Sequence, residues 1–166
     1  MALLPVLQMP DPRLRQTCAV VTQFDAALKQ LADDMLETMY AAPGRGLAGP
    51  QVGAMLRIFV MDVGWKEGRP SPLVCVNPVI RNATGTAING EGCLSIPDHL
   101  VRISRPAVVQ LAWQDLAGRA CEGFFEGFAA TCVQHERDHL DGILCIDYPN
   151  LPEQEPEPEP EPETFH

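Results

Sequence analysis

His135 and His139 stand four residues apart in "QHERDHLDG" (Gln134 to Gly142), with Glu136 directly after the first of them. On an α-helix that spacing turns the two positions only about 40° from each other, so both imidazoles can aim at a single ion. Glu136 then lies beside the pair, where a carboxylate can take a proton from water without being a ligand itself. The competing reading is a polar turn on a solvated helical face. Two histidines are one short of the three protein ligands of a hydrolytic metal site. The only later histidine is His166, and the glutamates near it alternate with prolines. The third ligand is therefore expected upstream, where Cys93 in the Gly-rich stretch "NGEGCLSIPDHL" offers a thiolate. A Cys/His/His set would leave one position open, although Cys93 taken alone reads better as a small buried hydrophobe.

The elements that must carry these residues can be read from periodicity. A helix over about "GFAATCVQHERDHLDG", stopped by Gly142, would hold both histidines. The stretch "FDAALKQLADDMLETMYAA" predicts another, with Leu28, Leu31, Met35 and Met39 on one face. The glycines and prolines of "APGRGLAGPQVG" forbid a continuing helix and predict an irregular turn whose backbone another chain can approach. Three short runs, "LRIFVMDV", "PLVCVNP" and "AVVQLAWQD", read as strands, and "ILCIDY" as a last one. Strands and helices are segregated, which predicts an α+β fold rather than parallel βαβ units.

At 166 residues, 46% of them hydrophobic and without a run long enough to span a bilayer, the chain is expected to fold as one soluble domain over 1–150. The remainder, 151–166, carries six glutamates and no lysine or arginine, so the body keeps only −4 of the formal charge of −10. Its Glu-Pro alternation predicts a disordered, extended acidic tail. Net acidity in both parts argues against nucleic-acid binding. The N-terminus lacks the basic start and apolar stretch of a secretory signal, so a cytoplasmic setting is expected, with an organellar one still open. The six cysteines are then expected to be reduced thiols.

Three separated segments, "GLAGPQ" (Gly46 to Gln51), "EGCLSIP" (Glu91 to Pro97) and "QHERDHLDG", resemble the peptide deformylase family in order and spacing. A looser similarity runs from "VLQMPDPRLR" to "IDY", covering nearly all of the body. The resemblance implies antiparallel strands surrounding a central helix that carries the two histidines. It also implies removal of the formyl group from N-terminal formylmethionyl peptides or nascent chains, releasing formate, by a monomer. Cys93, His135 and His139 would hold one divalent ion, with Fe(II) expected natively and Zn(II), Ni(II) or Co(II) as alternatives. Glu136 would be the general base, and Gln51 with the backbone N–H of Leu94 would stabilise the formyl oxygen.

Glu91 and Asp138 are candidates for orienting the ligands. An extended peptide would pair with backbone near Gly46 and seat its methionine beside Leu47, Ile96 and Cys132. Four positions depart from the family pattern. Gly49 replaces an alanine and is expected to loosen the loop next to Gln51. Arg45 stands where an apolar residue is usual near substrate, and Arg137 replaces an apolar residue inside the His-Glu motif, with Asp141 as its expected partner. Leu100 lies where many bacterial members carry an arginine that contacts the peptide. A metallopeptidase and a catalytically idle formyl-peptide or metal-binding module are the rival readings.

Overall fold

Asp25 caps the first helix, α1 (Ala26–Ala41), by accepting the Leu28 N–H at 3.0 Å. Its apolar stripe of Leu28, Ala32, Met35 and Met39 is buried against Leu47, Ile58, Val60 and Val76, while Leu31 sits at the margin of that cluster. Each large side chain so buried is worth roughly 1.5–3 kcal/mol against its exposed state. The computed structural model describes residues 2–152, so all but the first two residues of the expected disordered tail lie outside the described part.

Seven strands follow: β1 (Gly46–Ala48), β2 (Ile58–Met61), β3 (Leu73–Thr84), β4 (Ala87–Cys93), β5 (Ile96–Arg105), β6 (Val108–Gln114) and β7 (Ala120–Glu126). They form a five-stranded antiparallel sheet in the order β1-β2-β3-β6-β7. The β4–β5 hairpin, inserted between β3 and β6, forms a second sheet of two strands. The fold is α+β, as expected.

The second helix, α2 (Gly127–Leu140), packs on β1, β2, β6 and β7. From Ala130 to Leu140 every residue except Arg137 is buried, although seven of these eleven residues are polar. Buried polar side chains in such density require partners, and they mark the helix as more than a packing element. Gly142, with φ +72°, ends α2 by donating its N–H to the His139 carbonyl at 3.2 Å.

Two expectations are corrected. The stretch "ILCIDY" is not a strand: Cys145–Asp147 is a 3-10 turn, because Asp147 Oδ2 accepts the Leu144 N–H at 2.9 Å and closes the backbone locally. The glycine-rich segment is more regular than expected, forming β1 and then a 3-10 turn over Gly49–Val52. Gly49 does not loosen it. A Cβ there would lie 2.6 Å from the Ala54 carbonyl oxygen and 2.8 Å from that of Leu56, so the missing side chain permits close backbone packing. At the far end Asn150 Oδ1 accepts the Arg102 N–H and the Leu151 N–H donates to the Arg102 carbonyl, which ties the chain to β5 one residue past the expected boundary.

Candidate active site

Cys93 is the last residue of β4, where a register shift between Glu91 and Cys93 tightens the hairpin and pairs Cys93 with Ile96. It therefore sits at a hairpin end rather than in an open loop. Across from it, one turn of α2 separates His135 from His139. The three ligand atoms converge: His139 Nε2 lies 3.4 Å from Cys93 Sγ and 3.2 Å from His135 Nε2. A tetrahedral ion with bonds of about 2.1 Å to nitrogen and 2.3 Å to sulfur needs separations of about 3.3–3.6 Å. The donor set thus fits a small divalent cation.

Surrounding groups fix the ligands. Glu91 Oε1 accepts from His135 Nδ1 at 2.9 Å, which turns the Nε2 lone pair of that ring toward Cys93. Glu91 is in turn gripped by Arg105, whose Nε and Nη2 donate to its two oxygens at 2.6 and 2.9 Å. Arg105 Nη1 reaches Asp138 Oδ2 at 2.8 Å, and the Tyr148 hydroxyl donates to the same oxygen at 2.6 Å. All three ionic side chains are at most 5% exposed. Burial alone would raise the Glu91 carboxyl, but the His135 and Arg105 hydrogen bonds outweigh it and hold it below the usual carboxylate range. Burial and the neighbouring His135 keep His139 neutral well below its ordinary pKa, as a ligating imidazole must be.

Glu136 is different in kind. Burial, the largest cause, raises its carboxyl to about 7, and among the described residues its Oε2 has no hydrogen-bond partner. A buried carboxyl group that titrates near neutrality, with one oxygen unpartnered and the other 3.9 Å from His135 Nε2, is suited to proton transfer. Gly46 lets it stand close to β1: a Cβ there would meet Cys132 Sγ at 2.8 Å and Glu136 Oε1 at 3.0 Å. Gln51, 1% exposed, anchors its Oε1 on the Ala48 N–H at 2.9 Å and extends Nε2 to Ser95 Oγ at 3.1 Å and Cys93 Sγ at 3.6 Å. Its carboxamide donor therefore faces the thiol.

These groups border a cavity of about 580 Å³ between β1 and the β4–β5 hairpin. Arg45, Gly46, Leu94, Ile96, Cys132 and Leu100 line it. Leu47 does not. It points the other way, fully buried among the residues under α1, as period-two alternation along β1 requires once Gly46 faces the cavity. Arg137 lies away from the ligands, with Nη1 3.8 Å from Asp141 and Nη2 3.8 Å from Asp138, both longer than hydrogen bonds. Sequence reasoning missed Arg105, Ser95 and Tyr148. Ser95 stands within the quoted "EGCLSIP" segment, whereas nothing local marks Arg105 or Tyr148, whose roles come from partners far along the chain.

A cysteine sulfur, two imidazoles and a buried carboxyl group gathered at one cleft of an α+β fold define a candidate metallohydrolase centre. The Polypeptide deformylase family model matches residues 3–155. The chain is 48% identical to the peptide deformylase of Zymomonas mobilis subsp. mobilis, over 89% of this chain and 86% of that one. It is 50% identical to that of Alkalilimnicola ehrlichii, over 89% and 83%. The crystal structure of peptide deformylase from Thermotoga maritima superposes with a TM-score of 0.84 at 41% identity, covering 88% of this chain and 97% of that one. The chain belongs to the polypeptide deformylase family.

Proposed function

We propose that this chain removes the formyl group from N-terminal formylmethionyl peptides, with Cys93, His135 and His139 holding one divalent ion and Glu136 as general base. The observation that carries the reading is the convergence of the three ligand atoms beside a buried carboxyl group with one unpartnered oxygen, in a member of this family. When bound, the ion supplies a Lewis acid that acidifies water and polarises the formyl group.

Glu136 accepts the proton of the attacking water and returns it to the amine nitrogen as the C–N bond breaks, so formate and a free amine leave. Gln51 Nε2 and the Leu94 N–H donate to the formyl oxygen as it gains charge. Glu91 holds the His135 ring in register, and Asp138 steadies the Arg105 that grips Glu91. The peptide backbone lies along β1 at Gly46, and the methionine side chain is seated near Ile96 and Cys132. Formate release from a short formylmethionyl peptide, beside amino-acid release from an unformylated control, separates this activity from a peptidase and from an idle binder.

Ionised Glu136 is the active form, so kcat/KM rises with pH as this group loses its proton. Burial places its carboxyl at about 7, and a cation in the adjacent ligand set favours the carboxylate and moves the limb toward acid. The ascending limb of a pH–rate profile is expected at or below pH 7; a rate that falls between about pH 5 and 7 would contradict the assignment.

Fe(II) is the proposed native ion, as the family resemblance implies, and it is expected to be oxygen-labile because a thiolate beside a redox-active metal gives oxygen a route to damage both. Activity is expected to decay in air with Fe(II) and to persist with Ni(II) or Co(II), whereas full, air-stable activity with Zn(II) alone would count against iron. Nascent chains in the cytoplasm are the proposed substrates, acted on by a monomer. No helix among the described residues is long and apolar enough to cross a membrane.

A further inference from the structure

The mouth of the cavity carries charges that hydrolysis does not use. Arg45 and Lys66 are the only lysine or arginine side chains among its described lining residues. Two contacts fix the Arg45 guanidinium: Nη2 donates to Glu67 Oε1 at 2.8 Å, and the Cζ lies 5.4 Å from the centroid of the Phe128 ring. The side chain remains 30% exposed. Glu67 engages one of its five N–H donors, and among the described residues no other hydrogen bond from the guanidinium is formed. Lys66 rests its ammonium 5.7 Å from the Trp65 ring centroid and has no ion pair among the described residues. Two cations therefore face one nearby carboxylate, leaving a positive lip on a chain whose net charge is −10. The opposite lip, from the β4–β5 hairpin, presents Asp98 and the 70% exposed Leu100.

Position along the substrate follows from Gly46. A Cβ at Gly46 would come within 3.0 Å of Glu136 Oε1, so this glycine lies against the group that serves the scissile amide, and Arg45 immediately precedes it at the start of β1. An extended peptide advances about 3.3 Å per residue, so an arginine one residue from Gly46 and lining the same cavity is matched to the residues just after the formylated one. An arginine already held by a carboxylate and an aromatic face loses little freedom on binding an acid.

We propose that Arg45, supported by Lys66, makes this enzyme select formylated peptides bearing a carboxylate at the second or third residue. That carboxylate is either an Asp or Glu side chain or the free C-terminus of a very short peptide. The inference rests on the deformylation reading above, and its test separates the two.

The test measures kcat/KM for formate release from formyl-Met-Xaa-Ala-amide and formyl-Met-Ala-Xaa-amide, with Glu, Gln, Lys or Leu as Xaa, and from formyl-Met-Ala as free acid and as amide. Glu is expected to exceed Lys by about tenfold at one position, with Gln between them, and the ratio should shrink at high salt. Compared within each variant, the ratio should collapse to about twofold or less in Arg45→Ala and invert in Arg45→Glu, with a partial loss in Lys66→Ala. A preference for free acid over amide without a side-chain effect assigns the terminal carboxylate and supports the proposal equally. Equal rates for Glu and Lys at both positions together with equal rates for acid and amide would overturn it, as would a preference led by Leu or one that survives Arg45→Ala. Turnover of neutral formyl-Met-Ala-Ala-amide shows which claim has failed: cleavage without charge selection sinks the selectivity alone, and no cleavage sinks deformylation and the selectivity with it.

Discussion

Glu136→Gln is expected to lower formate release by two orders of magnitude or more while the protein stays folded and binds one ion per chain. The substitution keeps size and helix propensity, so α2 should be undisturbed. What it removes is the group that takes the proton of water, a contribution of about 10²–10⁴-fold for a positioned base. Loss of a charge that burial already disfavours should not destabilise the fold, since the ionised carboxylate is the costly form at this site. Cys93→Ala provides the contrast: it should weaken metal binding itself, so metal content per chain separates ligand from base. A Glu136→Gln enzyme with near-parental turnover would remove the proposed proton path.

The second large effect is expected at Arg105, which touches neither the cavity nor the three ligands. Arg105→Met leaves the Glu91 and Asp138 carboxylates, each 4% exposed, without their cation. Stranding buried charge in this way typically costs about 3–5 kcal/mol, to be read from the midpoint of urea unfolding. Metal affinity should fall as well, by about 10–100-fold, because Glu91 would no longer be held against His135. The sign of the pH dependence follows from Glu91. Its carboxyl lies below the ordinary value in the folded parent, so it contributes stability above the unfolded pKa that is lost as pH falls through the folded one. The deficit of Arg105→Met should therefore narrow in acid. Arg105→Lys should recover part of the loss, since a point charge keeps the attraction but not the two-pronged grip on Glu91. A change below about 1 kcal/mol in Arg105→Met would show that the network does not hold the site together.

Legibility in the sequence followed the range of the interactions. The spacing of His135 and His139 is a property of one helical turn, and the α1 stripe of Leu28, Met35 and Met39 needs only a period of 3.6, so both could be read locally. Strands β2, β3 and β6 were visible because they are apolar, although β3 runs on to Thr84 through exposed residues that gave no sign. Strands β4, β5 and β7 were not visible. In β7 no residue is fully buried, in β4 two glycines interrupt the pattern, and in β5 Pro97 and several charges do so.

Leu47 was misplaced because alternation assigns faces only once a strand is recognised, and β1 is three residues long. Of the buried Glu91, Arg105 and Asp138, the two acids stood in recognisable motifs, but Arg105, which joins them, had no local signal. Glu91 and Arg105 are fourteen residues apart, Asp138 another thirty-three, and only the pairing of β4 with β5 over α2 brings them together.

The most direct test of the central claim is the stoichiometry of products from a formylmethionyl tripeptide, using chain prepared without oxygen and loaded with one equivalent of Fe(II) or Ni(II). Formate and new primary amine are expected to appear one for one, with no free amino acid from the same peptide unformylated. Absence of formate with every ion tried, or release of amino acids from the unformylated control, would contradict the assignment of this site to deformylation.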